Sequence, residues 1–294
     1  MFTKKAAAPT VETLERHSQF VDVWRRFKRN KLAVFGMCLA IFLVLVALFA
    51  NFIAPYDPAA ISTDRLAMPS LEHLMGTDNY GRDLFSRVIY GARVSLLISL
   101  MALVFSLIIG IGLGATAGYF GGWYESAIMR ICDILMCIPG MLLAVCISSL
   151  LGIGEVNTAI AIAVSGVAPA IRMIRATVLQ IRSQEFVEAA KATGSSQLKI
   201  IFHEILPNIL SPLIVDSTMR IGGNILQISG LSFIGLGVQS PTAEWGSIMS
   251  DGQEFITTFW PMITFPGIAI LLTVFAFNVM GDGLRDALDP RLKQ

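Results

Sequence analysis

Val94 to Gly118 reads VSLLISLMALVFSLIIGIGLGATAG, an uncharged run long enough to decide the fold class. A helix that crosses a bilayer needs roughly 20 mostly apolar residues. Around this run the whole chain is of the same kind. Of 294 residues, 54% are hydrophobic and only 15% charged, against about 25% charged in a soluble domain. A water-soluble enzyme of this size could not hide that much apolar surface, and a disordered chain would not contain it. The net charge of +1 gives no global basic field for nucleic acid. Cys38, Cys132, Cys137 and Cys146 lie in apolar stretches without a C-x-x-C pair, so they read as small hydrophobes in helices.

Working outward, six segments qualify as spans: Leu32–Ala54, Val94–Gly118, about Ile128–Ile153, Val156–Ile171, about Leu210–Gly237 and about Phe259–Gly281. The first has too long a basic leader and too long an apolar run for a cleaved signal and reads as an anchor. The N-terminal tail to Lys31 carries eight basic residues, and 172–208 carries Arg172, Arg175, Arg182, Lys191 and Lys199. The C-terminal tail adds Arg285, Arg291 and Lys293, whereas 238–258 holds only the acids Glu244, Asp251 and Glu254. By the positive-inside rule both termini are expected in the cytoplasm, with an even number of crossings.

Within the spans, Gly110, Gly114 and Gly118 repeat on one helix face, the small-residue spacing that lets helices pack closely in lipid. Asp216 and Arg220, at i and i+4, are followed along the same face by Asn224 and Gln227. Two readings stand: a polar stripe lining a water-filled route, or a structural ion pair. Arg130 and Asp133 read as an interfacial pair. In the outer loops, the acids and Trp245 suit a polar docking rim with an aromatic anchor, or else packing over the cavity. No catalytic constellation is present: His203–Glu204 lacks the second histidine of H-E-x-x-H, and there is no G-x-S-x-G element or phosphate-binding loop. No cofactor or metal site is expected, and any ATP must be bound by another chain. An ATP-independent carrier or channel stays open on composition alone.

The stretch Thr177–Leu210 is too polar to span. It reads as one or two short amphipathic helices broken near Gly194 and Pro207, with Ser195–Ser196 able to start the second. The run E-A-A-K-A-T-G-S-S-Q-L-K-I-I-F-H-E-I-L-P, Glu188 to Pro207, resembles the EAA loop of permeases from ABC importers. Glu188-Ala189-Ala190, Gly194 and Leu206-Pro207 stand in register, while Glu204 replaces a usually apolar residue. Gly76–Leu96, Leu231–Gly246 and Gly281–Leu292 are similar to stretches of the dipeptide/oligopeptide subfamily, C-type subunit.

The resemblance implies an all-α membrane protein of six transmembrane helices, the type I ABC importer permease fold, with a cytoplasmic coupling helix. It implies a cytoplasmic tail over 1–31, the first span and an extracytoplasmic loop over 32–92, a permease core over 93–285 and a cytoplasmic tail over 286–294. Its implied setting is the bacterial cytoplasmic membrane. Implied partners are membrane lipid, a homologous B-type permease subunit, two cytoplasmic ATPase subunits and an extracytoplasmic solute-binding protein, with no nucleic acid. Glu188, Ala189, Ala190 and Gly194 would couple the chain to an ATPase, Phe186 adding an apolar contact. The chain would be a non-catalytic transport subunit forming a path for peptides, with nickel chelates or glutathione as alternative cargo.

Overall fold

In hydrocarbon, backbone N–H and C=O groups find no water and must bond within the segment, so the apolar runs fold as helices. The computed structural model describes residues 19–288. In chain order the helices are α1 (Gln19–Arg29), α2 (Lys31–Leu48), α3 (Ala50–Ile53), α4 (Leu84–Phe120), α5 (Gly122–Met136), α6 (Gly140–Leu151), α7 (Glu155–Ile181), α8 (Glu185–Ala192), α9 (Gln197–Lys199), α10 (Leu206–Phe233), α11 (Trp245–Asp251) and α12 (Pro261–Leu288). A π-helical segment, Ile200–Ile205, joins α9 to α10, and a 3₁₀ turn, Gln253–Phe255, follows α11. Among the described residues the fold is all-helical, with one isolated bridge between Thr77 and Asp83.

The glycine repeat sets the main contact. A methyl group at Gly110 would lie 2.9 Å from Ala170 Cβ, at Gly114 2.8 Å from the Ile171 carbonyl oxygen, and at Gly118 2.9 Å from Val178 Cβ. Only glycine permits this approach of α4 to α7, and the expected close packing is what the repeat delivers. The register rises on both helices together, so α4 and α7 run parallel. The chain between them must therefore cross back. It does so as α5 and α6, two helices bent by 86°.

That bend corrects the third expected span, which reads as one helix in the sequence. Pro139 has no N–H for the helix ladder and disfavours helical geometry at Ile138. Its ψ of 131° turns the chain before α6 restarts at Gly140. Other boundaries move for an electrostatic reason. Helix α4 begins at Leu84 rather than Val94, because the charge of Arg93 is absorbed. The Arg93 guanidinium donates to the carbonyls of Ala47 and Leu48 and to Asn51 Oδ1, each at 2.9 Å, closing the C-terminus of α2. Helix α7 continues to Ile181 rather than stopping at Ile171, with Arg172 and Arg175 inside it.

Helices α2 and α12 run antiparallel through a second close contact, Gly283 against Ala33 and Gly36 against the Ala276 carbonyl. Phe27, Ala33 and Ala287 form one buried cluster. The first and last described helices thus meet at the same end of the bundle, as an even number of crossings requires. Outward, α2, α4 and α12 present Phe42, Leu45, Ile108 and Leu271 as exposed apolar surface.

The Gly114→Leu variant should reduce folded, membrane-inserted protein, because overpacking costs about 1–3 kcal/mol and the neighbour here is backbone. Gly112→Leu is the control, since a methyl group there meets nothing within 4 Å. Thermal unfolding of both variants in lipid nanodiscs measures the difference, and equal midpoints would refute the contact.

Candidate functional site

Helix α8 is short, and one residue holds it in place. Val187 is fully buried among Ile174, Val178, Ile200, Ile201, Ile205 and Ile209, with Ala190 packed partly against them. The π-helical turn makes this possible: its wider winding brings Ile200, Ile201 and Ile205 together on the bundle side. Glu185 and Glu188 stand in the first turn of α8 and Lys191 in the last, each complementing the helix dipole.

The end of α8 is a Schellman turn. Ser195 N–H donates to the Ala190 carbonyl at 3.1 Å and Gly194 N–H to that of Lys191 at 3.0 Å. Gly194 has φ +79°, where a side chain is strained even though the space around it is empty. Ser196 then caps α9, its hydroxyl accepting from Lys199 N–H at 3.4 Å. The sequence-based helix starts and stops hold here with one exception. Pro207 does not break the chain: it stands just after the π-helical turn, inside one continuous helical run, where the altered ladder of that turn accommodates a residue without an N–H.

The five expected coupling residues therefore fall into three groups. Phe186, 37% exposed, Glu188 and Ala189 face outward; Ala190 is half-buried; Gly194 shapes the turn. Val187, the anchor, is one of two apolar residues between Glu185 and Glu188, and nothing in the sequence separates it from the exposed Phe186. Arg182 ties the base of α8 to the bundle, its Nη1 donating to the Gly118 carbonyl at 2.8 Å and that of Tyr119 at 3.3 Å. The Lys191 ammonium lies 5.7 Å from the centre of the Tyr119 ring.

Two further arginines of α7 hold α5. Arg175 donates through Nε to Glu125 at 2.6 Å, and Arg172 pairs with Asp133. This corrects the expected Arg130–Asp133 pair: Asp133 is taken by the neighbouring helix, and Arg130 is exposed.

The polar stripe of α10 turns toward α4 and α7. Arg220 pairs with Asp216 and donates to the Gly166 carbonyl at 3.2 Å. Asn224 Nδ2 donates to the Ser99 carbonyl at 3.2 Å, and Gln227 Oε1 accepts from Ser165 at 3.4 Å. Arg220 is 17% exposed and Asp216 31%, so Asp216 is the more open member. The four residues lie along one flank, each held by a bond to a neighbouring residue.

At the opposite end, residues 54–83 and 234–260 meet over a buried charge cluster that sequence reasoning missed. Arg82 Nε lies 2.6 Å from Asp78 Oδ2 and Arg82 Nη2 3.1 Å from Asp251 Oδ2. Arg87 Nε is 3.4 Å from Asp78, and its Nη1 donates to the Pro241 carbonyl at 3.2 Å. Asp78 and Arg87 are wholly buried. Glu244 is also buried, accepting from Ser95 and Ser229 hydroxyls at 3.0 and 3.3 Å and from Ser247 N–H at 2.9 Å. Trp245, 1% exposed, donates Nε1–H to the Val88 carbonyl at 2.9 Å. For Glu244 and Trp245 the packing alternative holds, since they lock α11 onto α4 and α10, whereas Glu254 is exposed.

With this geometry established, the comparisons fix the family. Residues 110–294 match the model described as binding-protein-dependent transport system inner membrane component, and 18–70 match the N-terminal TM domain of oligopeptide transport permease C. The chain is 44% identical over 277 residues to the dipeptide transport system permease protein DppC of Alkalihalophilus pseudofirmus, covering 94% of this chain and 91% of that one. It is 44% identical to the di/tripeptide transport system permease protein DppC of Pseudomonas aeruginosa, with 94% and 93% covered. It is 42% identical to the glutathione transport system permease protein GsiD of Escherichia coli, with 98% and 95% covered. In fold it is similar to a chain of the inward-facing MetNI methionine ABC transporter, with TM-score 0.58, 18% identity, and 70% of this chain and 98% of that chain covered. The chain belongs to the family of binding-protein-dependent transport system inner membrane components, as a C-type permease of multi-pass, type I architecture.

Two outcomes follow from the geometry. Gly194→Val places a branched residue at positive φ, costing about 1–2 kcal/mol, and should loosen the end of α8. Gly194→Asn, which tolerates that region, should behave closer to the native chain; hydrogen exchange across 185–196 distinguishes them. Asp78→Ala leaves two buried guanidiniums with only Asp251 between them and should destabilise the protein by about 3–5 kcal/mol, read as a lowered Tm.

Proposed function

We propose that this member of the family forms one half of the translocation path of an ATP-driven importer of peptides, driven by two ATPase subunits docked at the α8 end. One observation carries the reading: an eight-residue helix, pinned through a single buried valine, exposes Phe186, Glu188 and Ala189 beyond the bundle. Small alanines permit close approach of a partner, and glutamate offers it a polar contact. No phosphate-binding loop exists in the sequence, so the energy of ATP has to arrive through such a surface.

On this reading the α8 end is cytoplasmic. The lysines and arginines of α1, of 172–208 and of the last turn of α12 gather there, in accord with the positive-inside rule, and both termini follow them. The domain boundaries take the same sense: a tail over 1–31, the first span and outer loop over 32–92, the permease core over 93–285, and a tail over 286–294. A homologous B-type permease subunit completes the path, and an extracytoplasmic solute-binding protein delivers the cargo to the end built on Asp78, Arg82, Arg87 and Trp245. Peptide is the cargo class supported by relatives named for dipeptides and di/tripeptides, and a relative named for glutathione keeps that compound as the alternative.

The mechanism is alternating access. ATP biases the equilibrium between inward and outward states only by its differential affinity for them, so α8 has to be stiff enough to transmit the difference. Val187, the Schellman turn and Arg182 supply that stiffness. Asp216, Arg220, Asn224 and Gln227 are the polar residues we assign to the wall of the path, Asp216 being the one most open to a passing solute.

The purified complex with its binding protein, reconstituted in vesicles, tests this reading. Peptide should stimulate ATP hydrolysis and uptake together. Glu188→Arg with Ala189→Trp should cut peptide-stimulated hydrolysis by about tenfold or more, the equivalent of ~1.4 kcal/mol of lost coupling, at normal membrane levels. Accumulation of peptide without nucleotide hydrolysis would overturn the proposal. Asp216→Asn should lower uptake more than assembly, and unchanged uptake would remove it from the path.

A further inference from the structure

In the transport reading the cations of helix α1 serve only to orient the chain, and their arrangement is unusual. Between Gln19 and Lys31 the sequence places Arg25, Arg26, Lys28, Arg29 and Lys31 against the single acid Asp22. Only Asn30 separates α1 from α2, its Oδ1 accepting from Leu32 and Ala33 N–H at 3.1 Å. The cations are therefore fixed beside the first turns of a spanning helix, where exposed Leu32 and Phe35 mark the apolar, lipid-facing surface.

The helix is clamped rather than trailing. Phe27, 2% exposed, packs with Ala33 and Ala287, and a methyl group at Gly283 would lie 3.2 Å from its ring. Trp24 stacks on Phe27 with ring centres 5.9 Å apart and is 46% exposed, and the Lys28 ammonium sits 5.0 Å above the Trp24 ring. Arg25, Lys28, Arg29 and Lys31 are exposed. Asp282 and Asp286 on α12 are exposed nearby, yet among the described residues neither pairs with a cation of α1.

We propose that α1 is a docking surface for anionic phospholipid, its arginines and lysines binding phosphodiester headgroups of the leaflet at the α8 end while Trp24 seats at headgroup level. An indole prefers that depth because one edge is apolar and the other wet. Clusters of this size next to a spanning helix attract acidic lipid by charge complementarity. Rigid attachment through Phe27 keeps the cations on one surface, so binding does not have to order a loose tail.

The test uses the full chain in nanodiscs containing equal parts phosphatidylcholine and phosphatidylglycerol, with retained lipids quantified after purification. Phosphatidylglycerol should be enriched about tenfold over phosphatidylcholine, and raised salt should weaken the enrichment. Replacing Arg25, Lys28 and Arg29 by glutamine should abolish it, whereas Lys199→Gln with Arg285→Gln, exposed cations at the same end, should leave it intact. If the triple variant does not insert, the single variants and the salt titration of the native chain decide. Equal loss in the control, or retention of phosphatidylglycerol by the triple variant, overturns the proposal. Displacement of the lipid by inorganic phosphate alone would identify a free-anion site and also overturn it.

Discussion

The parallel contact of α4 with α7 is the constraint on which the remaining architecture depends. Three glycines bring two backbones to van der Waals distance, at Ala170, Ile171 and Val178. Lipid offers no hydrophobic drive for helix pairing, so the gain comes from close packing of this kind. Two parallel helices in sequence oblige the chain to return between them, which gives α5 and α6 their course. The end of the same contact places Arg182 on the last carbonyls of α4, and from Arg182 the chain leads directly into α8. The surface helix proposed to transmit force is thus rooted in the closely packed α4–α7 contact.

At the other end, order is achieved with charge. Asp78, Arg82, Arg87 and Asp251 join two loop regions that share no helix, and the carbonyls of Pro58 and Pro241 take further donors from Arg87. A buried cluster of this sort contributes little net stability against an apolar alternative, because desolvation offsets the attraction. Its value lies in geometry: removing a single member leaves an unpaired charge, so the loops are held in one arrangement. Glu244 and Trp245 extend the same logic, fastening α11 to α4 and α10 by directional bonds.

How far this was legible in the sequence depended on the kind of signal. Apolar runs located five spanning helices and the bent α5–α6 pair, and the glycine spacing located a close contact between two of them, since both are properties of consecutive residues. Ser196 and Gly194 marked the helix ends around α8 through local backbone chemistry, whereas Pro207 stands inside a continuous helical run. Long-range pairing was not legible. Arg93 cut the second span short on paper because the sequence does not show the carbonyls of Ala47 and Leu48 that absorb its charge. Asp133 was matched to Arg130, its neighbour in sequence, instead of Arg172, its neighbour in space. The break at Pro139 was written in Ile138-Pro139-Gly140 but was masked by the apolar residues on both sides. The sequence leaves Trp245 open between a surface anchor and packing, because the glycine that receives it, Gly91, lies in another helix.

A single rod connects the two ends. From Gln197 to Phe233 the backbone is continuously helical, through the π-helical turn beneath α8 and on to Ser229, which bonds Glu244. Its base shares the buried cluster of Val187, and Ile225, further along, shares the cluster of Trp245 on α11. Packed elements of this type have discrete arrangements rather than continuous ones, and in the proposed coupling a displacement at α8 is carried along the rod. The stripe of Arg220, Asn224 and Gln227 ties the middle of the rod to α7 and α4, which are themselves joined by glycine contacts. In the proposed cycle, then, α4, α7 and α10 move as one body. Outside that body, the 86° bend between α5 and α6 and the loop regions flanking α11 interrupt the helical ladder.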